Sequence, residues 1–413
     1  MRFFSFFCCL LSILMPPCLN AAVVKVGSQQ TFKTVHEGIF AAHDGDTVLV
    51  YPGLYLERNI VVNKAILLKG INYPVLDGER TYEILSIRRS NVTVEGFKVQ
   101  RCGHSDMDDL AGIKIYDARN VIIRNNILDD TFFGIYTQFG TNCTIENNKI
   151  TAYGSGESDI GNGIHCWKSD SITITNNTIS GHRDGIYFEF VTHSVIRGNT
   201  SEKNMRYGLH FMFSHNDDYI SNTFRSNGAG VAVMYTRGIK MINNLFENNW
   251  GDAAYGLLLK EISDSYLSGN RFINNTMGIF MESSNRISME KNLFKNNGWA
   301  VKIQSSCDGN TISHSNFIGN TFDIATSGSL VMNKFDYNYW DRYEGYDLNK
   351  NKIGDVPYRP VSVYSMIVEG NPAAMMLFRS FIVTLMDKTE KVLPSIIPEN
   401  LKDDFPLMVP VKL

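Results

Sequence analysis

A Gly followed by an aliphatic residue recurs eight times along this chain, and an Asn follows each Gly at an offset of 14 residues. The interval between copies is 22 residues in four of seven cases and 23, 26 or 29 in the others. The glycines are Gly112, Gly134, Gly163, Gly185, Gly208, Gly230, Gly256 and Gly278, and the asparagines are Asn126, Asn148, Asn177, Asn199, Asn222, Asn244, Asn270 and Asn292. A fixed period of this length is typical of a stacked coil, whose units bury their apolar faces against one another. The repeat therefore ties most of the 413 residues into one continuous core.

Each repeat contains short strands with alternating apolar and polar residues. One strand follows the Gly, as in residues 185–189; another precedes the Asn, as in 171–177; and a third follows the Asn, as in 292–294. Three strands in about 22 residues predict an all-β fold, a right-handed parallel β-helix. The Asn column is expected to stack amide on amide, and the Gly column is expected to supply positive φ at a tight corner. Helical repeats are excluded because the period within a unit is 2 and the spacers are rich in Asn, Gly and Ser.

The N-terminal segment predicts export. Residues 1–22 combine one Arg, an apolar run and a small-residue exit, so we expect a signal peptide cleaved near Ala21 and Ala22 and a periplasmic mature protein. Four cysteines remain after cleavage, in different copies of the repeat, and this spacing gives no disulfide framework. The net charge of −3 and the pI near 6.3 give no electrostatic basis for binding nucleic acid.

The remaining sequence divides into four regions. Residues 23–80 are expected to form an N-terminal cap and the first coils, with a helix over 31–42, and residues 81–335 the β-helix repeats. Residues 336–370 form an irregular polar cap, whose spacing of acidic and amide residues over 347–355 is similar to a calcium loop but lacks its turn Gly and closing Glu. Residues 371–413 are expected to be a docking helix, over 373–386, and an extended Pro-rich tail that binds a partner.

The strand phase predicts which side chains face solvent. In the strand after each Gly, the first and third residues point into the core and the second and fourth point outward. His210, Met212 and Met234 should therefore share one outward patch. His165, Trp167, Tyr187 and Glu189 border this patch.

Two thioethers and one imidazole suit soft Cu(I) better than zinc, magnesium or calcium. The sequence thus gives His210, Met212 and Met234 as candidate ligands of a transient Cu(I) ion. A second interpretation remains open, because Met and aromatic residues exposed on a sheet also mark protein-binding surfaces.

The alternative function is a β-helix that binds or modifies polysaccharides, since parallel β-helices often carry enzymes of this kind. That chemistry needs clustered carboxylates and a base. Asp106, Asp108 and Asp109 share one loop, with Asp129 and Asp130 one coil later, but no Arg, Lys or His column accompanies them on a strand face. The chain also has no phosphate loop, nucleophile elbow or zinc-protease helix. We therefore expect a protein that is not an enzyme and has no catalytic residues.

Several segments resemble the NosD family, the periplasmic maturation proteins of nitrous oxide reductase. The most specific is the run Tyr-Gly-Leu-His-Phe-Met at 207–212, with Val-Ala-Val-Met-Tyr at 231–235 one coil later. Residues 184–190, the Ala-Tyr-Gly-Leu-Leu-Leu-Lys segment at 254–260, the Asn-Tyr-Trp-Asp segment at 338–341 and the helix from Asn371 continue the match.

The resemblance implies a β-helix that works with an ABC transporter, whose ATPase and permease are separate chains. It further implies that the protein supplies copper, or sulfur, to the copper centres of nitrous oxide reductase, with help from a lipoprotein copper chaperone. The family's own copper ligands are not carried over, so the assignment of His210, Met212 and Met234 rests on strand phase alone.

Overall fold

The computed structural model describes residues 21–105, 107–251, 254–326, 333–392 and 401–413, with side chains omitted at 387 and 390–392. The chain winds through about 13 turns of a parallel β-solenoid. Each regular turn has three strands, which we call front, second and third in chain order, and every named strand pair is parallel. The predicted right-handed parallel β-helix is confirmed.

The front strands are those that follow the repeat glycines, together with their equivalents at both ends. They are β4 (Ile60–Val62), β7 (Leu85–Ile87), β10 (Ala111–Tyr116), β13 (Phe133–Gln138), β16 (Ile164–Trp167), β19 (Asp184–Glu189), β22 (Tyr207–Met212), β25 (Ala229–Arg237), the first part of β28 (Tyr255–Ser268), β30 (Met277–Glu282), β33 (Trp299–Ile303) and β36 (Phe322–Thr326).

The second strands pair with one another along the next side, and the long strands β25 and β28 join the two sides into one sheet. They are β1 (Val23–Val26), β2 (Thr47–Val50), β5 (Leu67–Gly70), β8 (Thr93–Glu95), β11 (Ile122–Arg124), β14 (Thr144–Glu146), β17 (Thr173–Thr175), β20 (Val195–Arg197), β23 (Asp218–Ile220), β26 (Lys240–Ile242), the rest of β28, β31 (Asn285–Glu290), β34 (Thr311–Ser313) and β37 (Lys334–Asp336).

The third strands form a separate sheet of 13 short strands. They are β3 (Leu54–Tyr55), β6 (Val75–Asp77), β9 (Lys98–Gln100), β12 (Ile127–Asp129), β15 (Lys149–Thr151), β18 (Thr178–Ser180), β21 (Thr200–Glu202), β24 (Thr223–Arg225), β27 (Leu245–Glu247), β29 (Arg271–Ile273), β32 (Leu293–Lys295), β35 (Asn316–Ile318) and β38 (Tyr339–Trp340). The two long repeat intervals fall after β15 and β27, so both insertions project from the solenoid at the corner that leads into a front strand.

The Asn column forms a continuous buried ladder, as the sequence predicts. From Asn126 to Asn292, each amide nitrogen donates to the side-chain oxygen of the next Asn at 3.0–3.1 Å. The same oxygen also accepts the backbone N–H of the preceding Asn, as Asn222 does from Asn199 at 3.0 Å. A second ladder, five residues further on, runs from Asn204 to Asn320 and was not predicted. Together the ladders satisfy turn groups that would otherwise be buried without partners.

The repeat glycines have a different role from the one expected. None of the eight has positive φ; that conformation occurs instead at the residue before each ladder Asn, as at Asn125, Asn147 and Asn176. A Cβ on Gly230 would overlap the carbonyl oxygen of Gly256 in the next coil. The glycines are therefore required by the close approach of successive coils.

Aromatic rings stack along the interior behind the third strands. Phe224, Phe246, Phe272, Phe294, Phe317 and Trp340 lie in one column, with adjacent centroids 4.1–5.6 Å apart. The side chains in this column are almost fully buried. This column and the aliphatic residues of the other two sides make up the core.

A short helix covers the first coil. The helix α1 (Val35–Ala41) begins at the cap residue Thr34, whose hydroxyl accepts the backbone N–H of Glu37. Its buried residues Val35 and Ile39 join the main core. The prediction of an N-terminal cap with a helix near 31–42 thus corresponds to a helix of seven residues.

The C-terminal region differs from the expected single helix. A helix α2 (Val363–Gly370), a 3₁₀ helix (Pro372–Leu377) and a helix α3 (Phe381–Val392) replace the helix predicted over 373–386. Asn371 caps the 3₁₀ segment and Arg379 has a φ of 63°, so the chain turns twice where the sequence shows only continuous apolar character. None of the described helices is long and apolar enough to cross a membrane.

Residues 401–413, which we expected to be part of an extended partner-binding tail, fold back onto the last coils. The carboxylate of Asp403 accepts hydrogen bonds from the backbone and side chain of Asn338 at 2.9 and 3.1 Å and from the Trp340 indole at 3.0 Å. Asp403 therefore continues the ladder beyond Asn338, and Leu401 is fully buried. These residues cover the C-terminal end of the solenoid.

In the calcium-like loop, the acidic oxygens are occupied by backbone groups. Asp347 accepts the N–H groups of Asn351 and Lys352, and Asp355 accepts that of Leu348. These bonds hold the turn, which is the structural role expected of a cap.

Candidate functional site

The front strands place the predicted ligands on one outward ribbon. Leu209 and Phe211 point into the core and are fully buried, whereas His210 and Met212 alternate with them and point outward. Met212 pairs in register with Met234 on the next coil. The three predicted residues thus lie on the same face of the solenoid, as strand phase predicts.

His210 is outward but not exposed, with an accessible fraction of 5%. Its Nδ1 lies 3.4 Å from Oδ2 of Asp184, which in turn is held by the Arg206 guanidinium. Burial acts to raise the pKa of Asp184, but the hydrogen bonds from Arg206 and His210 outweigh it and keep this pKa below its usual value. Nδ1 of His210 therefore faces this carboxylate acceptor and also, at 3.5 Å, Nη2 of Arg206, which can only donate.

The other ring nitrogen of His210 is enclosed and makes no hydrogen bond within the described part of the chain. Its Nε2 is buried and has no hydrogen-bond partner among the residues that the structure describes. A proton on Nδ1 directed at Asp184 would leave the lone pair on Nε2, which is the arrangement of a metal ligand with its supporting acceptor.

Tyr187 connects His210 to the thioethers. Its ring is edge-on to His210, with centroids 5.0 Å apart, and its hydroxyl lies 4.0 Å from the sulfur of Met212. Met212 and Met234 are both half-buried. One phenol therefore contacts the imidazole on one side and the first thioether on the other.

The predicted border residues surround this group. His165 pairs in register with Tyr187, and its ring centroid lies 4.7 Å from that of Tyr187. Glu189 pairs with Trp167 on one side and Met212 on the other. Burial, followed by the charge of Glu189, raises the pKa of Tyr187 to about 12, so this hydroxyl stays protonated at neutral pH.

Asp184 and Arg206 were missed by the sequence reasoning. Asp184 immediately precedes a repeat Gly, and strand alternation counted forward from that Gly says nothing about the residue before it. The signal that could have found it is the pair itself: Asp184 and Tyr207 occupy the same register position, and Arg206 comes just before Tyr207.

One basic residue lies beside the acidic loop, although its neighbours in register, Ser86 and Tyr136, do not extend it into a basic column. Lys114 lies on a front strand, and its Nζ donates to the carbonyl oxygen of Asp109 at 3.0 Å between the rings of Tyr116 and Tyr136. Burial lowers the pKa of Lys114. Asp106 lies outside the described residues.

In the described part of the chain, no three His, Cys, Asp or Glu side chains are grouped so that they could hold a metal ion. The four cysteines of these residues, Cys102, Cys143, Cys166 and Cys307, are buried free thiols. His210, Met212 and Met234 remain the candidate ligands from the sequence, and one imidazole with two thioethers would suit Cu(I).

The fold and site together define a class, that of parallel β-helix proteins with a buried imidazole and thioethers on the outer face of the front sheet. Residues 152–352 match the model of a family described as periplasmic copper-binding protein (NosD), and residues 31–158 match that of the right-handed β-helix region. These matches and the relatives below confirm the resemblance of this β-helix to the NosD family.

Two relatives carry the description "Probable ABC transporter binding protein NosD". That of Pseudomonas aeruginosa is 27% identical over 369 residues and covers 85% of each chain. That of Stutzerimonas stutzeri is 25% identical over 387 residues, covering 88% of this chain and 87% of the relative. Neither description names an enzyme.

Among solved structures, the surface adhesin PfbA of Streptococcus pneumoniae is similar, with a TM-score of 0.56 and 14% sequence identity. The alignment covers 71% of this chain and 88% of the adhesin. At this identity the likeness shows a shared fold alone.

Proposed function

We propose that this protein is a periplasmic accessory protein that works with an ABC transporter to supply copper for the copper centres of nitrous oxide reductase. In this proposal His210, Met212 and Met234 hold Cu(I) transiently, as cargo that is passed on. The ATPase and permease chains, a lipoprotein copper chaperone and the reductase are its partners, and the protein itself is not an enzyme.

The observation that carries the proposal is the environment of His210. In this proposal His210 carries its proton on Nδ1, toward Asp184, and its unpartnered Nε2 donates a lone pair, while two thioethers lie on the same ribbon. Donors of this softness bind Cu(I) without stabilising Cu(II) or binding zinc strongly. The family description as copper-binding agrees with this donor set.

The C-terminal arm, residues 363–392, is proposed to dock on the transporter. Phe322, Tyr364 and Val368 form an apolar cluster that fixes the arm to the last front strands, and Lys302 pairs with Glu369 at 2.9 Å. The arm therefore lies on the same face as His210, several coils away. Its outer side is apolar, with Met376 90% and Phe381 82% exposed.

Titration with Cu(I) against a chromophoric chelator tests the ligand assignment. We expect the wild-type protein to bind one Cu(I), and the variant His210→Gln/Met212→Leu/Met234→Leu to lose at least tenfold in affinity. Leu conserves side-chain volume and Gln conserves a polar group beside Asp184, so the solenoid should remain folded. Circular dichroism checks the fold of each variant.

The control removes the same donor types elsewhere. His215→Gln/Met205→Leu/Met277→Leu alters half-buried residues outside the proposed ligand set and should leave Cu(I) affinity unchanged. Equal affinity of the site variant and the wild type would refute the ligand assignment.

Co-purification from membranes with the permease tests the arm. Phe381→Ser/Leu385→Ser should reduce the recovered complex, because both side chains are exposed on the arm. Phe40→Ser, which removes an aromatic ring 86% exposed on α1, is the control and should not reduce it. Undiminished recovery of the arm variant would contradict the docking role.

A further inference from the structure

Five buried side-chain nitrogen atoms on neighbouring coils have no partner among the described residues; two belong to His182, and the other three lie near the outward ribbon of the front strands. These three are Nε2 of His165, Nε of Arg183 and Nε2 of His210. A buried polar atom without a partner destabilises the folded state, so a group of three requires a physical reason. His210 is explained by the proposed cargo, whereas His165 and Arg183 are not.

The hydrogen bonds of Asn162 fix the proton on His165. Nη2 of Arg183 lies 3.4 Å from Oδ1 of Asn162, and because a guanidinium only donates, the atom of Asn162 that faces it must be the oxygen. Nδ2 of Asn162 therefore faces Nδ1 of His165, at 3.2 Å, and donates to it. Nδ1 is the acceptor, so Nε2 of His165 carries the hydrogen.

His165 also stays neutral. Burial, and then the nearby charge of Arg183, lowers its pKa to about 3. The ring is held between Tyr136 and Tyr187, with centroid distances of 4.4 and 4.7 Å. At neutral pH its Nε2–H is thus a fixed donor in an aromatic setting, without an acceptor.

Arg183 supplies a second donor and a positive charge. No carboxylate within the described ranges forms an ion pair with it, unlike Arg206 on the next coil, which is paired with Asp184. The two arginines are adjacent, since the backbone N–H of Arg206 donates to the carbonyl of Arg183. Arg183 therefore keeps an uncompensated charge beside His165.

We propose that Arg183 and His165 form an anion-binding site beside the His210 group. The ligand is a small monovalent anion, either a free ion or a carboxylate, which accepts from Nε–H of Arg183 and Nε2–H of His165. His165 and His210 lie on either side of the Tyr187 ring. In this proposal His165 donates a hydrogen bond to an anion, and His210 gives a lone pair to a cation. The site does not require that copper binds.

Histidine side-chain NMR of the metal-free full chain tests this site. In protein labelled with ¹⁵N at His, the Nε2–H signal of His165 should be visible at neutral pH and should shift saturably on addition of sodium bromide or sodium acetate. A response to bromide alone assigns a free inorganic ion, and a response to acetate assigns a carboxylate. Arg183→Gln should weaken either response at least tenfold.

Arg197→Gln is the matched control, because it removes the same charge from an exposed position on a second strand. It should titrate like the wild type. Absence of a saturable shift in the wild type, or equal shifts in the wild type and Arg183→Gln, would overturn the anion site. A His165 signal showing Nδ1 protonated would overturn the donor assignment. Because copper is absent throughout, neither result bears on Cu(I) binding at His210.

Discussion

At the scale of single residues, the interior contains a carboxyl group that sets a pH dependence. Asp217 is fully buried; its Oδ1 accepts the N–H of Ser194 at 2.8 Å, and its Oδ2 has no partner among the described residues. Burial raises the pKa of Asp217 to about 8, from an ordinary value of 3.8. The native state therefore holds a proton that the unfolded chain loses at much lower pH.

This raised pKa predicts that stability decreases as pH increases. The contribution of protonated Asp217 is complete below about pH 4 and is lost as pH rises toward about 8. Asp217→Asn mimics the protonated acid at every pH. The advantage of this variant in melting temperature should therefore grow by roughly 2 °C or more between about pH 5 and pH 8, as measured by thermal unfolding.

The control for Asp217 is Asp264→Asn. Asp264 is exposed, and its hydrogen bond from Arg286 lowers its pKa to about 2, so neither its folded nor its unfolded value lies in the range tested. The difference in melting temperature between Asp264→Asn and the wild type should not change with pH. Parallel pH curves for Asp217→Asn and the wild type would contradict a protonated Asp217.

Residue-scale features divide clearly into those the sequence could predict and those it could not. Alternation along the front strands predicts that His210, Met212 and Met234 face outward, because period 2 fixes orientation once one core residue is known. Alternation does not fix burial, which for His210 comes from Arg206 on its own coil and from Tyr187 and Asp184 on the preceding coil.

At the scale of repeated elements, the Asn ladder should dominate local stability. Asn222 donates to the carbonyl of Ile196 at 2.8 Å and accepts the N–H of Asn199 at 3.0 Å. Asn222→Ala leaves these buried groups unsatisfied and should lower the free energy of unfolding by roughly 2–5 kcal/mol. Urea unfolding measures this change.

Ser is the matched substitution in the ladder. Ser315 occupies a ladder position naturally, and its hydroxyl accepts the N–H of Asn292 at 3.1 Å. Asn222→Ser should therefore cost less than Asn222→Ala. Equal losses for the two variants would show that the accepted hydrogen bond contributes little.

The close contact of coils at the repeat glycines gives a separate prediction. Gly230→Ala places a Cβ against the backbone of the next coil and should cost about 2–4 kcal/mol of stability or prevent folding. Gly370→Ala, where a Cβ meets nothing within 4 Å, should change stability little. If Gly230→Ala is as stable as Gly370→Ala in urea, close packing is not the reason for the glycine column.

The recurrence of Gly is visible in the sequence, but its structural cause is not. A recurring Gly is compatible with positive φ or with close backbone approach, and one chain does not separate the two. The distance between successive coils separates these two causes, and it is known only once the stacking of the front strands is seen. The break between the 3₁₀ helix and α3 is hidden for a similar reason: Arg379 gives no strong turn signal, although its φ is positive.

At the scale of the whole molecule, the chain terminus completes the solenoid. Asp403 provides the last rung of the ladder and lies against Trp340, so its loss should expose the end of the core. Asp403→Ala should lower the melting temperature and promote self-association, measured by calorimetry and light scattering. Asp404→Ala, at the exposed neighbouring residue, should do neither; unchanged melting of Asp403→Ala would contradict the closing role.

The overall architecture was predictable because the repeat period, the strand alternation and the Asn spacing all indicate the same solenoid. The fate of residues 401–413 was not, because prolines indicate extended chain but not what that chain contacts. The same limit applies to the arm, whose position on the front face depends on contacts of Phe322 and Lys302 far from it in sequence.

X-ray absorption at the copper edge tests the central claim most directly. Protein loaded with one equivalent of Cu(I) should show one imidazole nitrogen and two sulfur scatterers, and Met212→Leu/Met234→Leu should lose the sulfur signal while His210 remains. A wild-type spectrum without sulfur scatterers, or one that the two Met substitutions leave unchanged, would contradict a copper site built from His210, Met212 and Met234.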